Sequence, residues 1–215
     1  MSPRRLHPEL LDTLPTDHPD ARHSRRDLRV INRFMGNHRW FARTLPPLLR
    51  PGESILELGA GTGELTQRLA ARGLTVTGLD LCPPPADRPE THGWLQDNLT
   101  TFTGYADYPV IIGNLILHHF SDGTLGQLGR QWRRHARLLV FSEPVRRRFS
   151  QHLIRGLGPL FGANRVTLHD ASVSIAAGFR GDEMIRQLDL PDSEWNCSVT
   201  RTLGGACRLV AQRRP

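Results

Sequence analysis

Residues 56–69 read LELGAGTGELTQRL, and the order of residue types in that run decides the fold. An apolar strand ends at Glu57, Gly59, Gly61 and Gly63 follow at alternate positions, and a helix opens with Thr62 or Gly63 as its cap. Glycines let the backbone turn tightly there and let a ligand approach main-chain atoms. The first N–H groups of the helix point at the same place. A dinucleotide loop needs Gly-x-Gly-x-x-Gly, whereas the sixth position here is Glu64. Glu57 is a second discriminator. Its carboxylate would repel a pyrophosphate and would suit a ligand carrying an ammonium and a sulfonium. Asp80, about 20 residues beyond Gly59, ends the next apolar run, where a carboxylate can take both hydroxyls of a ribose; that feature fits either ligand class.

Working outward, short apolar runs at 54–58, 74–79, 93–96, 109–114 and 137–142 alternate with helical stretches, notably 64–72 and 122–135. Strands alternating with helices imply an α/β fold with a doubly wound parallel sheet. Upstream, Pro3, Pro8, Pro15 and Pro19 exclude regular structure over residues 1–20. A helix then runs from Pro19 to Gly36, with Leu28, Ile31 and Met35 on one side and Arg22, Arg26, Arg29 and Arg33 on the other. A shorter one, 38–45, stops at Pro46-Pro47. Downstream come a helix at 145–161, a loop at 162–170, a helix at 182–190 and a hairpin of 194–200 with 206–212 around Leu203-Gly204-Gly205.

The composition narrows the classes. Apolar residues are 38% of 215, enough for a core, and 20 Gly with 16 Pro fall short of a low-complexity chain. No apolar run approaches the ~18–20 residues of a membrane span, and the first residues lack a secretory apolar stretch. Cys82, Cys197 and Cys207 have no metal-type spacing and read as reduced thiols of a cytoplasmic protein. Every one of the 28 basic residues other than His is arginine. That excludes catalytic-lysine chemistry.

Glu57-x-Gly59-x-Gly61-x-Gly63, Asp80 after the second strand, Asp97 after the third and NLILHHF (114–120) after the fourth resemble class I S-adenosylmethionine-dependent methyltransferases. Within that family they are similar to the quinone-biosynthesis and small-molecule group. The resemblance implies a Rossmann-like sheet of seven strands, the last antiparallel, with S-adenosylmethionine at the carboxyl ends of strands one to four. Carried over by position, it sets Glu57 near the methionyl amine and Gly59, Ala60, Gly61 and Gly63 under the cofactor. Asp80 would hold the ribose, Leu81 would flank the adenine, Asp97 or its neighbour Asn98 would meet the adenine amine, and Asn114 with Leu115 would line the methionyl end. Residues 1–50 would form a helical cap on a cofactor domain of 51–215, with 145–180 walling a pocket for a small-molecule acceptor that is O- or C-methylated.

Candidate groups for the chemistry are few. Glu143 leaves the fifth strand, and His169-Asp170 lie in the expected late loop, with Asp170 placed to cap the run ASVSIAA after it. His118-His119 invites a metal reading, but adjacent residues are expected to point apart and no carboxylate or cysteine stands at ligand spacing, so no metal is expected. Asn114-Leu115-Ile116-Leu117 lacks the Pro-Pro-aromatic run that serves methylation of nucleic-acid amines. Arg130, Arg133, Arg134 and Arg137 make a helical stripe, and Arg146, Arg147 and Arg148 a second group. Both read as solvated faces, with RNA methylation as the alternative and a non-catalytic cofactor-binding module as another. Oligomeric state is not readable from the sequence.

Overall fold

The computed structural model describes residues 3–15, 17–85 and 93–215, apart from the side chains of residues 148, 149, 153, 155, 157, 160 and 161. Seven strands form one sheet: β1 Ile55–Leu58, β2 Val76–Asp80, β3 Gly93–Gln96, β4 Val110–Asn114, β5 Leu138–Pro144, β6 Trp195–Arg201 and β7 Ala206–Arg213. Their spatial order is β3-β2-β1-β4-β5-β7-β6. β1 to β5 are parallel, and β7 runs antiparallel to both β5 and β6. The chain order therefore reverses between β1 and β4, which opens a crevice outside the carboxyl ends of those strands.

Parallel strands covered on both faces read as continuous apolar runs, and β1 is buried along its whole length. Ile55, Val76, Val110, Ile112, Leu138 and Val140 face one layer, built by Phe41 and Ala42 of α2 (Asn37–Thr44), Leu45 just after it, and Leu65 and Leu69 of α3 (Glu64–Ala70). Leu56, Leu58, Ile111, Leu139 and Phe141 face the other, where α4 (Asp122–His135) sets Trp132 stacked on Phe141. Alternation along β1 thus turns Glu57 toward α3, and alternation along β5 sends Ser142 toward α2 and Glu143 to the opposite side.

α1 (Pro19–Met35) ends at Gly36 in the left-handed conformation, as its sequence anticipates. Its expected apolar stripe is not core: Leu28 is exposed, Ile31 and Met35 are half-buried, and the buried positions are Ala21 and Ser24. The helix packs against α2 and α6 (Arg165–Ala177), and its Asn32 accepts from Asn114 at the end of β4. The late segment differs more. Residues 148–157 form α5 (Arg148–Leu157), and the expected loop at 162–170 is instead the start of α6 (Arg165–Ala177). Asn164, not Asp170, caps α6, its side chain accepting the Thr167 N–H at 2.8 Å. α7 is a short helix, Glu183–Gln187.

Candidate active site

The carboxyl edge of the sheet collects the residues that the glycine loop implicates. Gly59, Gly61 and Gly63 all have positive φ, 61°, 55° and 71°, which favours glycine at each. A side chain on Gly59 would collide with Ile116, whereas one on Gly61 would meet nothing closer than 4.0 Å. The loop is packed from below and open above. Asp80, at the end of β2, accepts the Gly61 N–H at 2.7 Å and the Cys82 N–H at 2.9 Å, so it braces the loop. Leu81 beside it is 68% exposed, a bare apolar rim. Asp97 follows β3 in an exposed position and accepts the Asn98 N–H, while Asn98 accepts the backbone and hydroxyl of Thr100.

Two buried polar groups face this edge, one without a cation and one without any partner among the described residues. Glu57 is 3% exposed and its side chain meets the Thr66 hydroxyl and no cation among the described residues. Burial pushes its carboxyl up to about 8, the charge of Asp80 adds to that, and hydrogen bonds from Thr66 oppose it. Asn114 Oδ1 is buried with no hydrogen-bond partner. Its Nδ2 donates to Asn32 of α1 at 2.9 Å, Asn37 of α2 donates to the same oxygen at 3.2 Å, and Ser142 donates to Asn37 at 3.0 Å. That amide chain ties the covering helices to β4 and β5. Leu115 adopts φ 58°, an unusual conformation for leucine, and donates its N–H to Ser142. Strain of this kind concentrates at ligand-binding turns.

The second half of the edge is a polar knot around Glu143. Fully buried, it accepts the N–H groups of Ile116 at 2.9 Å, Leu117 at 2.8 Å and His118 at 3.3 Å, and the His118 ring at 2.7 Å. Burial alone would discharge His118, but bonds and charges from Glu143 and Glu9 outweigh it and hold the ring at about 9. The expected divergence of His118 and His119 does not occur. They sit in a 3-10 turn with ring centroids 4.3 Å apart, and Glu9 supplies the carboxylate that local spacing lacks.

Glu9 belongs to an N-terminal strap. Arg4 donates to the carbonyls of Ala177, His118 and Phe120 and to Asp122, and lies over the Phe179 ring. The N–H groups of Leu10 and Leu11 bond the Asp170 carboxylate, which sits inside α6. His169 is thus on a helix rather than a loop, exposed, with Nδ1 2.9 Å from its own neighbour Asp170. Arg4, Glu9, Asn32 and Asn37 carry no motif. A groove of about 420 Å³ is lined by His38 of α2 and by Glu64, Gln67, Arg68 and Ala71 along α3.

Comparison with known proteins agrees with the geometry. Residues 23–169 match the family described as "Methyltransferase domain". An uncharacterized methyltransferase of Bacillus licheniformis is 30% identical over 108 residues, 45% of this chain and 49% of that protein, so the chain spans about half the length of this curated relative. The plantazolicin methyltransferase BpumL, solved with a monoazolic desmethylPZN analog and SAH, superposes with a TM-score of 0.69 at 13% identity over 91% of each chain. Magnesium protoporphyrin IX methyltransferase from Synechocystis PCC 6803, with bound SAH, gives 0.55 at 16% identity over 95% of this chain and 91% of that one. An open glycine cradle, a buried carboxyl facing it and an orphaned amide oxygen fit a ligand that is cationic at one end. The chain belongs to the methyltransferase-domain family.

Proposed function

We propose that this protein methylates a compact acceptor, a small molecule or a short peptide-derived one, at oxygen or carbon. The supporting observation is the strap: Arg4, Glu9, Leu10 and Leu11 are bonded to α6 and to the loop after β4, so the acceptor side is roofed. A roofed site excludes water and suits a displacement that depends chiefly on approach geometry. In this reading Glu57 and Asn114 Oδ1 receive the methionyl amine, and Gly59, Ala60, Gly61 and Gly63 line the cofactor's path. Asp80 takes the ribose hydroxyls, Leu81 flanks the adenine, Asp97 with Asn98 meets its amine, and Leu115 borders the methionyl end. When bound, S-adenosylmethionine supplies a methyl group on a sulfonium. Glu143 acts as a positioning residue, holding the loop that carries Leu115 to His118.

The RNA alternative loses support from the arginine stripe. Arg133 pairs with Asp189 at 3.2 Å, and Arg137 pairs with Glu53 and donates to the Leu48 carbonyl. Only Arg130 and Arg134 stay exposed. Of the second group, Arg146 is 6% exposed and pairs with Glu183, Arg147 is exposed, and the Arg148 side chain lies outside those described. No described helix is long and apolar enough to cross a membrane.

Asp80→Ala tests the cofactor register. Hydrogen bonds to a charged group are worth about 1.5–3 kcal/mol, so calorimetry should show S-adenosylmethionine binding at least tenfold weaker, with the circular dichroism spectrum unchanged. Unaltered affinity would place the ribose elsewhere. His169→Ala tests whether a base is needed from α6. With its ring exposed and turned to Asp170, we expect turnover to fall less than threefold; a loss of roughly 10²–10⁴ would make it the general base.

A further inference from the structure

The three side chains gathered by the strap have a chemistry that methyl transfer by itself does not require. We infer that Glu9, His118 and His119 form a binding site for one first-row transition-metal ion of the zinc type, on the acceptor side of the crevice. One donor atom from each lies within 4.8 Å of the other two. His118 Nε2 stands 3.5 Å from Glu9 Oε1, longer than a good hydrogen bond. Two ligands held tetrahedrally at ~2.0–2.1 Å lie about 3.3–3.4 Å apart. This pair needs almost no movement to share an ion.

The supporting groups are also in place. Glu143 Oε2 is 2.7 Å from His118 Nδ1, which directs the other ring nitrogen at Glu9, the carboxylate–histidine–metal pattern that fixes tautomer and orientation. The Ser174 hydroxyl bonds Glu9, and Asp12 stands 3.6 Å from His119 Nδ1. An ordinary ion pair would need one carboxylate for one imidazole. Here two carboxylates flank one buried ring, and a donor nitrogen of a second imidazole lies within 4.8 Å of Glu9. Imidazole and carboxylate donors select zinc, cobalt, nickel or iron rather than magnesium or calcium. Three protein ligands leave a position open, and it opens toward His119, whose side chain is 27% exposed against 4% for His118.

The consequence for substrate class rests on the methyl-transfer reading above. An acceptor hydroxyl, phenolic or enolic, would bind the ion through its oxygen, which eases loss of the O–H proton to the solvent that reaches the His119 ring at the margin of the strap. The oxygen then forms its bond to the methyl carbon as the carbon–sulfur bond breaks, and the sulfur keeps the electron pair.

The test uses full-length, untagged protein stripped with a chelator and titrated with Co²⁺, without cofactor or acceptor. Visible d–d absorption of a low-coordinate site should appear and saturate at one equivalent. His119→Ala and Glu9→Gln, chosen because neither removes a fully buried side chain, should lose the band or bind at least tenfold more weakly. Cofactor affinity, measured on the same preparations, reports the methyltransferase reading separately and should not change. Absence of one-equivalent binding in the parent protein, or binding that both variants leave intact, would overturn the site while leaving that reading untouched.

Discussion

Glu143→Ala is expected to lower the melting temperature by roughly 6–20 °C. The side chain is fully buried and satisfies three backbone N–H groups of the loop after β4 together with the His118 ring. Deleting it leaves those donors desolvated and unpaired. Breaking a buried charged pair costs about 3–5 kcal/mol, and for chains of this size each kcal/mol moves the midpoint by about 2–4 °C. Glu143→Gln should fall between the two. Its oxygen can still accept from Ile116 and Leu117, but its NH₂ faces the N–H of His118. Cofactor affinity should drop with stability, because Leu115 is held at φ 58° at the start of the same loop. Calorimetric melts of the three proteins check this. A shift under about 2 °C for the alanine variant would mean that water or a relaxed loop replaces the carboxylate.

The strand–helix alternation was readable because parallel strands covered on both faces leave uninterrupted apolar runs, and each such run sits close to its observed strand. The glycine loop was readable because its conformations forbid most other residues. Leu203-Gly204-Gly205 likewise marked the final hairpin, which returns β7 antiparallel against β5. What escaped was long-range. α6 carries Val166, Thr167, Val173, Ser174 and Ile175, residues of modest helix propensity, and it is contacted on several sides, so no single apolar stripe betrays it. Its burial of Val166, Thr167, Asp170, Ser172 and Ile175 forms between the strap and the sheet. Asp170 therefore looked like a helix cap, when in the fold it bonds the N–H groups of Leu10 and Leu11 from mid-helix. Glu9 sits in a proline-rich segment with no periodicity, and only its docking brings a carboxylate to His118. The rule that adjacent residues point apart holds for a strand. It fails in the 3-10 turn that His118 and His119 occupy.

Cofactor binding is expected to expel close to one proton at neutral pH, and Glu57 is the source. In the free protein its carboxyl titrates at about 8, raised mainly by burial, so at neutral pH it is mostly protonated. In the proposed register the methionyl ammonium arrives beside it, favours the carboxylate and drives the proton out. Affinity should then rise by up to tenfold per pH unit toward pH 8 and level off there. Binding enthalpies measured in buffers of different ionisation enthalpy should vary with a slope near one proton. Glu57→Gln should abolish that slope and weaken binding at about pH 8 by roughly 10–100-fold, the worth of a charge-assisted bond. Stability supplies an independent sign. A group whose folded value of about 8 exceeds its ordinary 4.5 stabilises fully below 4.5, and that contribution is lost as pH rises through 8. The unliganded parent should therefore soften across this window, and the glutamine variant, which resembles the protonated acid, should not. If the enthalpies prove independent of buffer, Glu57 keeps its proton on binding, the ammonium sits elsewhere, and the buried carboxyl serves only to bond Thr66 and anchor α3 to β1.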